Sequence, residues 1–267
     1  FTKFWLLTLD LKEAIEQWIK EKFNETSKIL NGLNRSNVPQ SDDYYNGADE
    51  KKYWFYAMLK KKFKFYNAFD QLKDWDFDNK FHDIKYFWID NSSKDSLGNQ
   101  VYVYYYNSDQ DFAVSLESSE WEDVILARWV NWDSFIDMYN NILKEEKKYK
   151  WKHSFTDRDY LKVPELNISS IAEFSELENK EFTTYDGSWK IEQAIQSIDV
   201  KLDKEWGEVK SEACIVFNGK GSMPMPEPEK IKPRYFYFDQ PYIMFIKESD
   251  KELPYFAAQI TDITLFQ

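Results

Sequence analysis

Few residues of this chain have the types and spacing that enzyme chemistry requires. The sequence contains two histidines, His82 and His153, and one cysteine, Cys214. Neither histidine has the sequence context of a zinc site or a hydrolase triad, and no histidine base lies near Cys214 to activate its thiol. A lone cysteine also cannot form an intrachain disulfide. We therefore predict that the protein is not an enzyme and that it carries neither a metal ion nor another cofactor.

Two further motifs have the residue types of a ligand site but lack its spacing. Asp74, Asp76 and Asp78 alternate along the chain, as the carboxylates of a calcium loop do. The glycine and the trailing glutamate of such a loop are missing, so we predict a solvated turn. The stretch from Gly219 to Ser222 lacks the spacing and the following helix of a phosphate-binding loop. It is predicted to be a flexible loop tip.

The composition is that of a globular protein with a sizeable core. Of its 267 residues, 43% are hydrophobic and 19% are aromatic. The formal net charge of -12 argues against a nucleic-acid or anionic-membrane partner, because phosphate contacts need clustered Lys and Arg. No apolar run reaches the roughly 18 residues that a membrane helix needs, so we predict no membrane insertion. We expect an extracellular or secreted protein, although a single cysteine leaves a cytoplasmic location open.

Alternating apolar residues and aromatic runs predict that strands predominate in this chain. The predicted strands cover residues 51–73, 84–89, 101–106, 112–116, 124–127, 161–168, 189–202, 235–238, 242–246 and 256–266. Helices interrupt these strands without alternating regularly with them. The predicted fold class is therefore α+β.

Helical spacing of apolar residues predicts two amphipathic helices, over residues 11–30 and 132–146. Asn131 or Asp133 is expected to cap the second one. Ser170 and Glu173 have capping-box spacing and predict a short helix over residues 169–177.

The most informative stretch lies in the last quarter of the chain. Residues 205–229 are predicted to form a loop, in which Gly219-Lys-Gly-Ser222 precedes a Pro-rich stretch. Residues 238–246, with the sequence Phe-Asp-Gln-Pro-Tyr-Ile-Met-Phe-Ile, follow. This order resembles the reactive loop and the C-terminal strands of the serpin family, whose signature is Phe-x-Ala-Asp-x-Pro-Phe-x-Phe-x-Ile.

The resemblance continues, in the same order, through most of the chain. Trp18, Ile19 and Ile29 match the helix that the family lays across its main sheet. Residues 53–65 resemble the central strand, 132–143 the helix after the middle hairpins, 163–168 the Val-Pro-Lys-Phe strand, and 193–203 the strand that enters the loop. The resemblance implies a serpin-like α+β fold with large, mostly antiparallel sheets, packed helices and an exposed reactive-type loop.

The resemblance also implies where the functional residues lie. The scissile-bond region would be Lys220, Gly221 and Ser222, and Lys220 would suit a trypsin-like protease. The loop hinge would consist of Gly207, Glu208, Val209, Lys210, Ser211, Glu212 and Ala213.

The hinge decides whether the loop can trap a protease, because trapping in this family requires the cleaved loop to insert as a new central strand. Insertion buries alternate hinge side chains. With Gly207 on the family's hinge glycine, the inward residues are Glu208, Lys210, Glu212 and Cys214. A shift of one residue instead turns inward Val209, Ser211, Ala213, Ile215 and Phe217. The first register buries unpaired charges and opposes insertion, whereas the second permits it.

The first helices and strands of the family have no counterpart in this chain. We therefore expect a single serpin-like domain over residues 1–267 that lacks them. Either the chain is truncated or a second fragment supplies that part, because bare sheet edges and core faces invite aggregation. The expected partners are a protein, such as a serine protease, and that fragment.

Three functions remain open on the sequence. The leading hypothesis is a non-inhibitory serpin-fold protein that presents the loop around Lys220 to a partner without insertion-based trapping, because its hinge is charged. The second is a suicide-substrate inhibitor of a trypsin-like serine protease, which predicts an SDS-resistant covalent complex. The third is an unrelated aromatic-rich protein that binds a ligand such as a sugar, which the absence of serpin strand order would favour.

Overall fold

The computed structural model describes residues 2–6, 13, 16–17, 20–21, 51–89, 94–128, 134–151, 153–184, 187–204 and 232–266. The strands are β1 (Thr2–Leu6), β2 (Lys51–Lys62), β3 (Asp70–Phe77), β4 (Phe81–Ile89), β5 (Val101–Ser108), β6 (Asp111–Glu117), β7 (Glu122–Arg128), β8 (Asp159–Pro164), β9 (Leu166–Glu173), β10 (Glu181–Thr184), β11 (Gly187–Leu202), β12 (Arg234–Tyr237), β13 (Tyr242–Glu248) and β14 (Phe256–Ile260). The helices with described bounds are α1 (Lys94–Leu97) and α2 (Phe135–Lys148), with 3-10 turns at Gly98–Gln100 and Ile263–Phe266. The predicted α+β class is confirmed.

The chain divides into two compact units. The first consists of Phe1–Lys60 and Ser169–Asp199, and the second of Lys61–Ile168 and Val200–Gln267. Most of a five-stranded sheet lies in the first unit, in the order β1-β2-β11-β10, with β9 also paired with β11. The single domain expected over residues 1–267 stays a prediction.

The second unit contains two sheets and the helix α2. One sheet has the order β12-β8-β4-β3 and the other the order β14-β13-β7-β6-β5. In the second sheet β13 is antiparallel to both β7 and β14. Its residues from Tyr242 to Lys247 are all buried, which explains why this segment is a nearly continuous apolar run rather than an alternating one.

Each face of the β5–β7 and β13 sheet is covered. On one face, Ile243 and Phe245 pack with Met138, Tyr139 and Ile142 of α2. On the other face, Phe112 of β6 contacts the rings of Phe236 and Phe238 at centroid distances of 5.4 and 5.1 Å. Fully burying one such aromatic side chain stabilises the fold by about 2 to 3 kcal/mol. The core of the second unit therefore lies between α2 and the chain segment that carries β12.

The residues at the two ends of α2 explain where this helix begins and stops. The Ser134 hydroxyl accepts a hydrogen bond from the Asp137 amide at 3.1 Å, which satisfies one free donor of the first turn. Lys147 and Lys148 lie in the last turn, where positive charge is favourable. The predicted helix is confirmed, but its cap is Ser134 and not Asn131 or Asp133. Of the helix predicted over 11–30, the described residues Glu13, Glu16, Gln17, Lys20 and Glu21 are helical.

The β3–β4 hairpin corrects the prediction for the acidic run. Asp74 and Asp76 are exposed residues of β3, and Asp78 alone of the three lies in a turn. Asp78 and Asn79 have φ values of 53 and 52°, and the Lys80 amide donates to the Phe77 carbonyl at 3.1 Å. This is a type I′ turn, which favours Asn and Asp because both central residues need positive φ.

The long strand predicted over residues 51–73 is wrong in its middle. β2 ends at Lys62 and β3 begins at Asp70, and Phe63, Phe65 and Phe69 between them are buried. The Phe65 and Phe69 rings are 4.9 Å apart. An aromatic cluster occupies this stretch in place of the strand. The prediction failed because alternating apolar residues in a sequence do not show where a chain leaves its sheet.

Three other segments also differ from the prediction. Residues 169–173 continue strand β9, not a helix, because pairing with β11 satisfies their backbone and outweighs the local capping signal. The strand predicted over 161–168 is interrupted at Glu165, whose amide donates to the Lys85 carbonyl. The last predicted strand ends at Ile260, because Asp262 caps a 3-10 turn by accepting from the Thr264 amide at 3.0 Å. None of the helices among the described residues is long and apolar enough to cross a membrane.

Candidate functional site

The functional residues predicted from the sequence lie outside the described residues, but both flanks of their segment are described. The scissile-bond residues Lys220, Gly221 and Ser222 and the hinge residues Gly207, Glu208, Val209, Lys210, Ser211, Glu212 and Ala213 all fall within 205–231, as does Cys214. The described chain stops at Lys204 and resumes at Lys232. The site is therefore built from these two flanks, which we call the entry flank (residues 200–204) and the exit flank (residues 232–237).

The entry flank is held by burial and by backbone hydrogen bonds. Val200 and Leu202 are fully buried. The buried carboxylate of Asp203 pairs with Lys201 Nζ at 2.8 Å. The Phe63 amide donates to the Lys201 carbonyl at 3.4 Å, and the Phe69 amide to the Lys204 carbonyl at 3.3 Å. The chain is thus anchored up to its last described residue before the segment.

A cavity of about 720 Å³ opens beside the entry flank. Its lysines are Lys73, Lys85, Lys201 and Lys204, and its carboxylates are Asp74, Glu165 and Asp203. Charges of both signs therefore surround the point where the chain enters the segment.

The exit flank is held by Arg234, the first residue of β12. Its guanidinium donates to Asp159 through Nε to Oδ1 at 2.9 Å and through Nη2 to Oδ2 at 2.6 Å. Nη1 also lies 2.8 Å from the Tyr149 hydroxyl, and Nη2 donates to the Ser154 carbonyl at 3.0 Å. A two-point arginine–carboxylate pair fixes orientation as well as distance.

Asp159 is almost completely buried and has further partners. Its Oδ2 accepts from the Thr156 amide at 2.6 Å and from the Thr156 hydroxyl at 2.9 Å. Burial by itself lowers the Arg234 pKa, but the hydrogen bonds and charge of Asp159 more than compensate and raise it above its usual range. The Arg234 guanidinium therefore stays charged while it is buried.

A second buried charge cluster lies next to the exit flank. Lys162 Nζ pairs with Asp239 Oδ2 at 2.8 Å, and Arg128 Nη1 lies 3.6 Å from Asp239 Oδ1. Burial lowers the pKa of Lys162 despite the attraction of Asp239, and burial also lowers that of Arg128. Two buried cations thus share one carboxylate, which fixes the turn between β12 and β13.

The fold has counterparts among solved structures. Serpin48, described as a highly specific serpin of the insect Tenebrio molitor, matches 95% of this chain and 65% of its own, with a TM-score of 0.50 and 13% identity. A crystal structure of maspin matches 92% of this chain and 64% of its own, with a TM-score of 0.50 and 11% identity. The chain has a serpin-like fold. It spans about two thirds of the length of these two proteins. No family model and no curated protein matches the sequence.

Several segments that carried the resemblance are the elements predicted for a serpin-like fold. Residues 193–203 end the long strand β11, residues 132–143 overlap α2, and residues 242–246 belong to β13. The resemblance is therefore confirmed at the level of the fold. An unrelated ligand-binding fold is not supported.

The histidines have structural partners within the serpin-like fold. His82 is exposed, and its Nδ1 lies 2.8 Å from Asp76 Oδ1, so that this hydrogen bond and the charge of Asp76 raise the His82 pKa. His153 Nδ1 lies 2.7 Å from the Val103 carbonyl, and its ring stacks on Tyr102. Among the described residues, no group of three or more His, Cys, Asp and Glu side chains is placed to hold a metal ion.

Sequence reasoning missed the aromatic surroundings of Lys162. Its Nζ lies 4.2 Å from the ring centroid of Trp75 and 4.5 Å from that of Tyr237. Both distances permit cation–π attraction, which is strongest when the cation is removed from water. The three residues come from β3, β8 and β12, so no local sequence pattern links them.

Proposed function

We propose that the protein presents the segment 205–231 to a protein partner, around Lys220, Gly221 and Ser222, without inserting it into a sheet to trap a protease. The observation that carries the proposal is the serpin-like fold with both flanks of this segment anchored. Anchored ends restrict the conformations of the intervening chain and reduce the entropy lost on binding. The proposed protein acts by recognition and not as an enzyme.

The burial pattern of β11 sharpens the hinge argument. Val200 and Leu202 are fully buried, whereas Lys201 between them is partly exposed. Side chains directly opposite each other in an antiparallel pair point to the same face. A hinge strand joined to β11 by a turn with an odd number of residues would therefore place Glu208, Lys210 and Glu212 on the face of Val200 and Leu202.

A turn with an even number of residues has the opposite effect. It would place Val209, Ser211 and Ala213 on the buried face and turn the charged residues outward. Burying three unpaired charges costs several kcal/mol, whereas burying small and apolar groups is favourable. The proposal therefore depends on the first register, and the inhibitor hypothesis depends on the second.

Stoichiometric incubation with trypsin tests the proposal. We expect cleavage after Lys220, identified by mass spectrometry, with no SDS-resistant complex and no rise in the thermal unfolding temperature of the cleaved protein. Lys220→Ala is the control and removes cleavage at that bond. A covalent complex, or a cleaved form that unfolds at a higher temperature, contradicts the proposal and supports the suicide-substrate inhibitor.

A hinge variant separates the charge argument from other obstacles to insertion. The triple change Glu208→Ala, Lys210→Ala and Glu212→Ala removes the charges of the first register. We expect this variant, once cleaved, to gain thermal stability that the cleaved parent lacks. The matched variant Val209→Ala, Ser211→Ala retains the charges and should behave as the parent. Equal behaviour of all three proteins would show that the hinge charges do not govern insertion.

A further inference from the structure

Three turns of the second unit converge on a polar cavity of about 640 Å³. Asn79 belongs to the β3–β4 turn, Asp109 and Gln110 to the β5–β6 turn, and Asp239 and Gln240 to the segment between β12 and β13. Cavities of roughly 300–1,000 Å³ hold small ligands in other proteins. The position and size of this cavity therefore suit a ligand of one or two ring systems, independently of the segment 205–231.

Arg128 holds the walls of this cavity together. Its Nη2 donates to Gln110 Oε1 at 2.6 Å, and its Nη1 donates to the Tyr237 carbonyl at 3.1 Å. The Asp78 amide donates to the Asp239 carbonyl at 2.8 Å and joins the two remaining turns. The cavity is thus formed before a ligand arrives, which lowers the entropy cost of binding.

The charges around the cavity cancel. Arg128 lines it, and Lys162 Nζ lies 2.8 Å from the carboxylate of Asp239, which also lines it. Asp109 and Asp239 supply the two opposing negative charges. A net charged ligand would find no excess of opposite charge, so the electrostatics favour a neutral polar ligand.

The remaining groups offer an aromatic surface next to unused hydrogen-bonding groups. Tyr235 is 39% exposed, and its ring stacks on Tyr160 at 5.2 Å, which fixes its orientation. Within the described part of the chain, the side-chain amides of Asn79 and Gln240 have no hydrogen-bond partner. An amide both donates and accepts, as a pair of neighbouring hydroxyl groups does.

We propose that this cavity binds a neutral saccharide of one or two residues. The C–H face of the sugar packs on Tyr235, and its hydroxyl groups exchange hydrogen bonds with Asn79, Gln240 and Asp109. Arg128 and Asp239 hold the walls in place and are not the main sugar contacts. This activity goes beyond partner recognition by the segment 205–231 and does not depend on it.

Ligand-observed NMR and calorimetry with glucose, galactose, N-acetylglucosamine, maltose, cellobiose and lactose test the proposal. We expect at least one of these sugars to bind saturably with a millimolar Kd. Tyr235→Ala and Gln240→Ala should each weaken that binding by about fivefold or more. Tyr66→Ala is the control, because Tyr66 is also exposed (48%) and does not line the cavity.

Two results would overturn the proposal. One is the absence of saturable binding by every sugar of the panel, or binding that is equal in the parent and both cavity variants. The other is binding of the charged probes acetate or methylammonium in place of the sugars. Thermal unfolding of each variant accompanies the titrations, and Gln240→Ala keeps the test valid if Tyr235→Ala lowers the folded population.

Discussion

The anchor of the exit flank makes a quantitative prediction for Asp159→Asn. Asp159 is 1% exposed and accepts two hydrogen bonds from Arg234 and two from Thr156. The substitution keeps the shape of the side chain but removes its charge and turns an amide group toward a donor. Arg234, whose side chain is 12% exposed, then keeps its charge but loses the carboxylate that balances it.

The magnitude follows from the burial of this pair. Removing one partner of a buried ion pair costs about 3 to 5 kcal/mol, because the remaining charge stays desolvated. We therefore expect Asp159→Asn to lower the free energy of unfolding of the second unit by about 3 kcal/mol or more. The same change should loosen β12, whose parallel pairing with β8 spans only Arg234 to Tyr237.

Urea unfolding followed by tryptophan fluorescence measures the effect, with Asp250→Asn as the matched control. Asp250 also pairs with a cation, Lys251 Nζ at 2.9 Å, but both side chains are largely exposed, and such pairs contribute little to stability. We expect a large shift of the unfolding midpoint for Asp159→Asn and none for Asp250→Asn. Equal midpoints for the two variants would refute the argument from burial.

Three further predictions concern titration, backbone strain and capping. Burial raises the pKa of Tyr86, Tyr104 and Tyr105. Above about pH 10 the unfolded state therefore loses its phenolic protons first, and the free energy of unfolding falls as pH rises. The urea midpoint should fall together with the rise in phenolate absorbance, and a midpoint that does not change with pH would contradict this. Trp121 has a φ of 64°, which strains residues with a side chain, and it is 78% exposed. Trp121→Gly should therefore be neutral or stabilising, whereas Trp121→Val should lose about 1 kcal/mol of stability. The reverse order of stabilities in thermal unfolding would disprove the strain. Ser134→Ala should cost about 1 kcal/mol. Ser134→Thr should retain the cap, because it keeps the hydroxyl that accepts from the Asp137 amide and donates to the Asp137 carboxylate. Equal stabilities of these two variants would exclude a capping role.

Local patterns predicted elements better than their ends. The spacing of Met138, Tyr139 and Ile142 identified α2, because a helix exposes one face to the core and the period is visible in the sequence. Short runs of apolar and aromatic residues located β5, β6, β7 and β13. The helix predicted over residues 169–177 is wrong, because residues 169–173 belong to β9 and strand pairing with β11 outweighed the capping-box signal of Ser170 and Glu173.

The buried clusters show why the site was harder to predict than the fold. Arg234 and Asp159 are separated by 75 residues, and Lys162 and Asp239 by 77. Nothing in either local sequence distinguishes these residues from the many exposed charges of an acidic chain. Their importance follows only from their burial.

The sequence by itself determined most of the element types and the serpin-like order of segments. Those properties depend on residue type and on short periodicities, which are visible in the sequence itself. The tertiary structure decided which charges are buried together, such as Arg234 with Asp159, and which turns enclose the polar cavity. These contacts depend on sheet register and packing between segments far apart in sequence, and a shift of one residue in register turns a different set of side chains inward.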